Sequence, residues 1–193
     1  MQVREALLSD VMPMAQVMVD SFLVAHRGQI PEALWKWRQQ EWTYAVSAQG
    51  LERILRRIGE ANGPQECVYV AEGQLGEILG LVMAQPAAPE AAASTAEVCA
   101  LYVRTDSQRQ GVGSRLLAAI ATHLQSRGVR VLHIGTLKTN APARRFYEAL
   151  GGQFLEERDI EDGGHLLREV VYRWPDLESL VLRACSGRNT DEP

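Results

Sequence analysis

The spacing of apolar positions divides the chain into short segments of two different periods. Val3 opens a short strand, after which Val11, Met14, Val17, Met18 and Phe22 recur at helical spacing and form one apolar stripe. Asp10 stands where an N-cap is expected, and Pro13 falls in the first turn, where a missing N–H is tolerated. The run His26-Arg27-Gly28-Gln29-Ile30-Pro31 breaks the pattern. Leu34, Trp35, Arg38 and Trp42 then share one face of a second helix. Leu51, Ile54, Leu55 and Ile58 mark a third, followed by a turn at Asn62-Gly63-Pro64.

From Cys67 the period changes. Cys67 to Ala71 and Ile78 to Ala84 read as two strands of an antiparallel hairpin around the Gly73 to Gly76 turn. Pro86 to Ser94, rich in alanine and proline, is a connection too short to separate domains. Thr95 to Val103 is a further strand. It runs into a glycine-containing turn, then into a helix with Leu116, Leu117, Ile120 and Leu124 on one stripe, ending near Arg127 with Gly128 as its C′ residue. Val129 to Gly135 reads as a strand, Ala141 to Leu150 as a helix stopped by Gly151-Gly152, and Phe154 to Arg158 with Leu166 to Tyr172 as a last hairpin around Asp162-Gly163-Gly164. An amphipathic piece, Leu177 to Leu182, precedes a polar tail. The order predicts an α/β or α+β fold, with a single domain over residues 1–185 and a frayed tail over 186–193.

Composition narrows the function classes. The 193 residues carry a net charge of -4, so no basic excess is available for nucleic acid. The N-terminus lacks a signal-peptide pattern and no segment reads as a membrane span, so the expectation is a cytoplasmic protein with no membrane partner. Cys67, Cys99 and Cys185 form no Cys-x-x-Cys pair, and His26, His123, His133 and His165 show no ligand spacing, so no metal is expected.

The chemistry concentrates at Gln108-Arg109-Gln110-Gly111-Val112-Gly113. A strand, a turn with bare glycines and a helix N-terminus present unpaired amides and a positive dipole end to a phosphate. A Walker A loop would need Lys after its second glycine, and a Rossmann loop a third Gly where Leu116 stands. Neither fits. Gln-x-x-Gly-x-Gly in this setting resembles the acyl-CoA pyrophosphate loop of the GNAT superfamily of N-acetyltransferases. Asn140, Ala143, Phe146, Tyr147 and Gly151 continue that family's pattern in order, so the likeness spans roughly seventy residues.

The resemblance implies a mixed, mostly antiparallel sheet of six to seven strands flanked by helices, and acetyl-CoA as acyl donor. It implies Gln108, Arg109, Gln110, Gly111, Val112, Gly113 and Ser114 at the pyrophosphate. Leu101, Tyr102 and Val103 would lie along the pantetheine arm, with Asn140 bonding that arm or capping the helix after it. Tyr147 would be the general acid facing the CoA sulfur, because Phe146 fits the apolar stripe with Ala143 and Leu150 and frees its neighbour. Glu97, flanked by apolar residues, is read as general base or water relay, or else as an exposed strand residue.

His26 and the tryptophans Trp35, Trp37 and Trp42 fall in the region that resembles the family's acceptor-side flap; a solvated loop histidine and a core stripe are the simpler readings. The expected reaction is direct transfer to a primary amine of a small molecule. A protein N-terminus or lysine as acceptor, and a non-catalytic acyl-CoA sensor, stay open, as does the choice between monomer and homodimer.

Overall fold

A computed structural model describes residues 1–60, 66–87 and 94–186. The turn read at residues 62–64, most of the alanine-rich connection and the tail beyond residue 186 lie outside the described residues. The elements are β1 (Gln2–Glu5), α1 (Val11–His26), α2 (Glu32–Glu41), α3 (Tyr44–Glu60), β2 (Cys67–Glu72), β3 (Ile78–Pro86), β4 (Thr95–Val103), α4 (Val112–Ser126), β5 (Val131–Leu137), α5 (Ala141–Ala149), β6 (Gln153–Asp162), β7 (His165–Trp174) and α6 (Leu177–Ser186). The described strands form one seven-stranded sheet in the order β1-β2-β3-β4-β5-β7-β6. Among its described pairs only β4–β5 is parallel. This is the mixed, mostly antiparallel α/β sheet that was expected.

Helices cover the two faces unequally. On one face α4, α5 and α6 bury Leu116, Leu117, Ile120 and Leu124 against Val82, Val98, Leu132, Tyr172 and Trp174. On the other, Met14, Val17 and Leu51 of α1 and α3 pack on Val68, Val70 and Leu81. That second layer lies over β2, β3 and β4, and leaves the same face of β5, β7 and β6 more open.

Several local expectations are corrected. Asp10 does not cap α1: a 3-10 turn, Leu8–Asp10, precedes the helix, and the carboxylate turns back to accept from Leu7 N–H at 2.7 Å and to pair with Arg4. A nearby guanidinium outcompetes the helix N-terminus. Together with that turn α1 makes a 19-residue helical run, Leu8–His26, of hydropathy 1.3, which is long and apolar enough to cross a membrane by length and composition. Here its Met14, Ala15 and Val17 are buried in the second core, and Val19 is buried as well. β5 begins at Val131 rather than Val129, because the Val129 N–H closes α4 by bonding Leu124 O, next to Gly128 at φ 84°. β6 and β7 are ten residues each, longer than read, and their two-residue turn Gly163-Gly164 has positive φ at both positions, as a type I′ hairpin requires.

Candidate active site

The site follows from a parting of strands. β4 and β5 pair only from Thr95↔Val131 to Val98↔Ile134; beyond that β5 continues along β7 as far as Leu137. The free edges, residues 99–103 of β4 and 135–137 of β5, are the two walls of a notch. On its other edge β4 pairs with β3, where Met83↔Ala100 is followed by Ala84↔Val98, so Cys99 is the extra residue of a bulge. Arg104 N–H bonds Leu79 O, which makes Gly80↔Val103 a non-hydrogen-bonded pair. By the alternation of an antiparallel ladder, the backbone groups of Val103 and Leu101 therefore point into the notch. The Val103 carbonyl is already taken, by Ser21 Oγ at 3.1 Å and Gln108 Nε2 at 3.3 Å.

The loop after β4 is held by its own polar groups. Arg104 pairs with Asp106, Ser107 Oγ donates to Asp106 at 2.9 Å, and Gln110 Nε2 donates to Asp106 O at 3.0 Å. Arg109 has φ 63°, the one positive φ of a residue other than glycine among the described residues, and Gly111 follows at 76°. Two left-handed residues flanking Gln110 give the kind of alternating backbone from which anion-binding concavities are built. Gly111, the N-cap of α4, makes no side-chain cap, so the first amides of the 15-residue helix stay open. The Val112 side chain is buried inward. At Gly113 a Cβ would lie 3.1 Å from Phe146 Cζ, so the missing side chain is what lets α5 approach. The side chain of Gln108, expected at the phosphate, is instead turned back onto β4.

α5 brings the other expected residues, with one correction. Tyr147, not Phe146, is the buried member of the pair: its ring packs near Tyr172 and Trp174, with centroids 5.9 and 6.1 Å away, whereas Phe146 is half-buried against α4. A helical stripe cannot register the aromatic rings of β7 that decide which way so short a helix turns. The Tyr147 hydroxyl makes no hydrogen bond among the described residues. Burial, and then the nearby Tyr102, push its pKa well above the ordinary 10.0. Asn140 caps α5, Oδ1 accepting from Ala143 N at 3.2 Å, and its amide nitrogen has no described partner.

Tyr102 and Glu97 face the other way. Tyr102 packs with the α1 core, and burial pushes its pKa up to about 12. Glu97 lies in register with His133 of β5, on the open face. It is not in an apolar pocket: Arg158 of β6 binds Glu97 Oε1 at 2.9 Å and Glu169 Oε2 of β7 at 2.6 Å. Above this network Arg38 of α2 pairs with Asp162 beside the hairpin turn, its guanidinium lying 5.3–5.8 Å from the ring centres of Trp37, Trp42 and Phe22. His26 is no loop residue; it ends α1, stacked on Phe22 at 4.2 Å, and burial lowers its pKa. The structure thus gathers the loop, Asn140 and Tyr147 on one side of the notch and places Glu97 on the other. Arg38, Arg158, Asp162 and Glu169 were not singled out as site residues, and no local motif marks them.

Comparison with known proteins identifies the family and the fold. The model of the acetyltransferase (GNAT) family matches residues 31–152. YuaI, an uncharacterized N-acetyltransferase of Bacillus subtilis (strain 168), is 30% identical over 179 residues, 92% of this chain and 95% of that protein. The crystal structure of a ribosomal-protein-alanine N-acetyltransferase from Brucella melitensis superposes with a TM-score of 0.67 at 21% identity, covering 90% of this chain and 99% of that one. PaiA N-acetyltransferase from Thermoplasma acidophilum, in complex with coenzyme A, superposes with a TM-score of 0.67 at 17% identity, covering 87% and 96%.

Proposed function

Because the chain belongs to the GNAT family of acetyl-CoA-dependent N-acetyltransferases, we propose that it acetylates the primary amine of a small molecule by direct attack in a ternary complex. The observation that carries this reading is the parting of β4 from β5 beside the uncapped N-terminus of α4. In this proposal the backbone from Arg109 to Ser114 cradles the pyrophosphate of acetyl-CoA. The pantetheine arm adds to β4 like an extra strand at Leu101 and Val103, and the free amide nitrogen of Asn140 bonds it from across the notch.

The amine nitrogen bonds to the thioester carbon, the C–S bond breaks, and the leaving thiolate takes its proton from Tyr147. A buried phenol suits that role, since it keeps its proton at neutral pH. Glu97, shared with Arg158, positions water or the incoming ammonium. Direct transfer is favoured over an acyl-enzyme because, among the described residues, no base stands beside the thiol at the β4 bulge: Cys99 Sγ lies 3.5 Å from Met83 O, and desolvation pushes its pKa up to about 11 even though the residue is exposed. A small acceptor is favoured because the Arg38–Asp162 pair ties α2 to the hairpin tip and narrows the open face.

The test is release of free CoA from acetyl-CoA with a panel of small amines alongside peptides bearing a free N-terminus or lysine. Turnover of small amines is expected. Release with peptides alone would move the acceptor class, and no release with any amine would overturn the transferase reading.

A further inference from the structure

We propose that Glu169 is the group that receives the proton of the incoming amine, an assignment that rests on the transferase reading above. Glu169 lies on β7 opposite Leu137, and its side chain leans back over Gly135: a Cβ built at residue 135 would be 2.2 Å from Glu169 Oε1. Gly135 is the first residue of β5 beyond its last pair with β4. The carboxylate therefore lies over the opening of the notch, on the face away from α4 and α5, in space that any side chain at 135 would fill.

The surroundings fit an ammonium. Arg158 holds Glu169 through Oε2 and Glu97 through Oε1, which fixes a carboxylate from β7 and one from β4 with a single guanidinium. Glu169 Oε1 and Glu97 Oε2 have no hydrogen-bond partner among the described residues. A primary ammonium brings three donors and no acceptor, so two carboxylate oxygens left free at one opening are complementary to it. His133 of β5, Arg173 of β7 and Glu156 of β6 are the other ionisable groups facing this spot. Burial lowers the pKa of His133, so its imidazole is uncharged at neutral pH and does not repel the ammonium.

The protons balance with these groups alone. The ammonium gives one proton to Glu169, and the freed lone pair forms the N–C bond to the thioester carbon. The C–S bond breaks and Tyr147 gives its proton to the thiolate. The nitrogen, made strongly acidic by the new bond, releases its second proton, which water returns to Tyr147. Glu169 then loses its proton to solvent, leaving amide, CoA thiol and one H⁺.

Steady-state turnover of an accepted amine tests the assignment in two variants. Glu169→Gln is expected to lower kcat/KM at least ~100-fold, the usual scale for a general base, while acetyl-CoA still raises the unfolding temperature as in the wild type. That deficit shrinks as pH rises and more of the amine arrives unprotonated. Gly135→Ala keeps the carboxylate but pushes it off the opening, and is expected to cost at least ~10-fold. Glu169→Gln turnover within threefold of wild type, or unchanged turnover in a folded Gly135→Ala should Glu169→Gln not fold, overturns the assignment and leaves the transferase reading standing. A wild-type protein that turns over no amine overturns both.

Discussion

The two sides of the notch are built in different ways. The α4 and α5 side is made mostly of backbone: open amides at a helix start, a strand edge, and glycines at 111 and 113 that keep them bare. The opposite side is made of side chains from α2, β4, β6 and β7, held by Arg158 and Arg38 in ion pairs between different elements. A ligand common to a whole family can be gripped by backbone, whereas an acceptor particular to one chain needs side chains. In the proposed reading, donor and acceptor divide along that line.

The comparison breaks most sharply at Gly113. Gly113→Val would press a branched side chain into Phe146, already 3.1 Å from a Cβ at that position, and cover the first amides of α4. CoA affinity measured by calorimetry is expected to fall at least ~100-fold, as loss of several charge-assisted hydrogen bonds implies. Tyr147→Phe comes next. The hydroxyl has no hydrogen-bond partner among the described residues, so the unfolding temperature and CoA affinity should hold while kcat falls at least ~10-fold. A variant that turns over normally would instead favour a module that binds acyl-CoA without using this residue.

On the acceptor side, Arg38→Ala removes the tie to Asp162 and the stacking on three rings. KM for the amine should rise by ~3–10-fold with CoA affinity unchanged, the scale of one partly exposed ion pair and its cation–π contacts.

Acidity should separate the sides more gently. Burial lowers the pKa of His26 and of His133 below the ordinary 6.5, so the unfolded chain binds protons there more readily than the folded one. Their contribution is complete above that pH and is lost as pH falls through it towards the lowered folded values. Between pH 7 and pH 5, hydrogen-exchange protection relative to the intrinsic rate is expected to fall more in α2 and at the end of α1 than in α4. The smallest effect belongs to Asn140→Ala, which removes the cap of α5 at about 1 kcal/mol of stability, read from chemical unfolding.

The same division explains what could be read without a structure. The loop from Gln108 to Gly113 and the residues from Asn140 to Gly151 were legible as family motifs because a tight strand–turn–helix junction and a close helix packing demand particular residues at fixed local spacing. The mixed, mostly antiparallel sheet was legible through the same resemblance, not through periodicity alone. Arg38 and Asp162, 124 residues apart, meet only because α2 crosses to the end of β6, and no window of sequence contains both. Glu169 reads as an ordinary charged strand residue until Gly135 is placed beneath it. Phe146 and Tyr147 were exchanged because the rings of Tyr172 and Trp174, supplied by β7, decide which of the two is buried.

Thermal unfolding with acetyl-CoA, CoA, ATP and NAD in parallel tests the central claim most directly, since a ligand bound only by the folded chain stabilises it by about 2.7 kcal/mol at one hundred times its Kd. The account predicts that acetyl-CoA and CoA raise the unfolding temperature of the wild type, that ATP and NAD do not, and that Gly113→Val abolishes the rise. No shift with CoA at concentrations well above micromolar would contradict the assignment of the β4–α4 loop and the notch beside it.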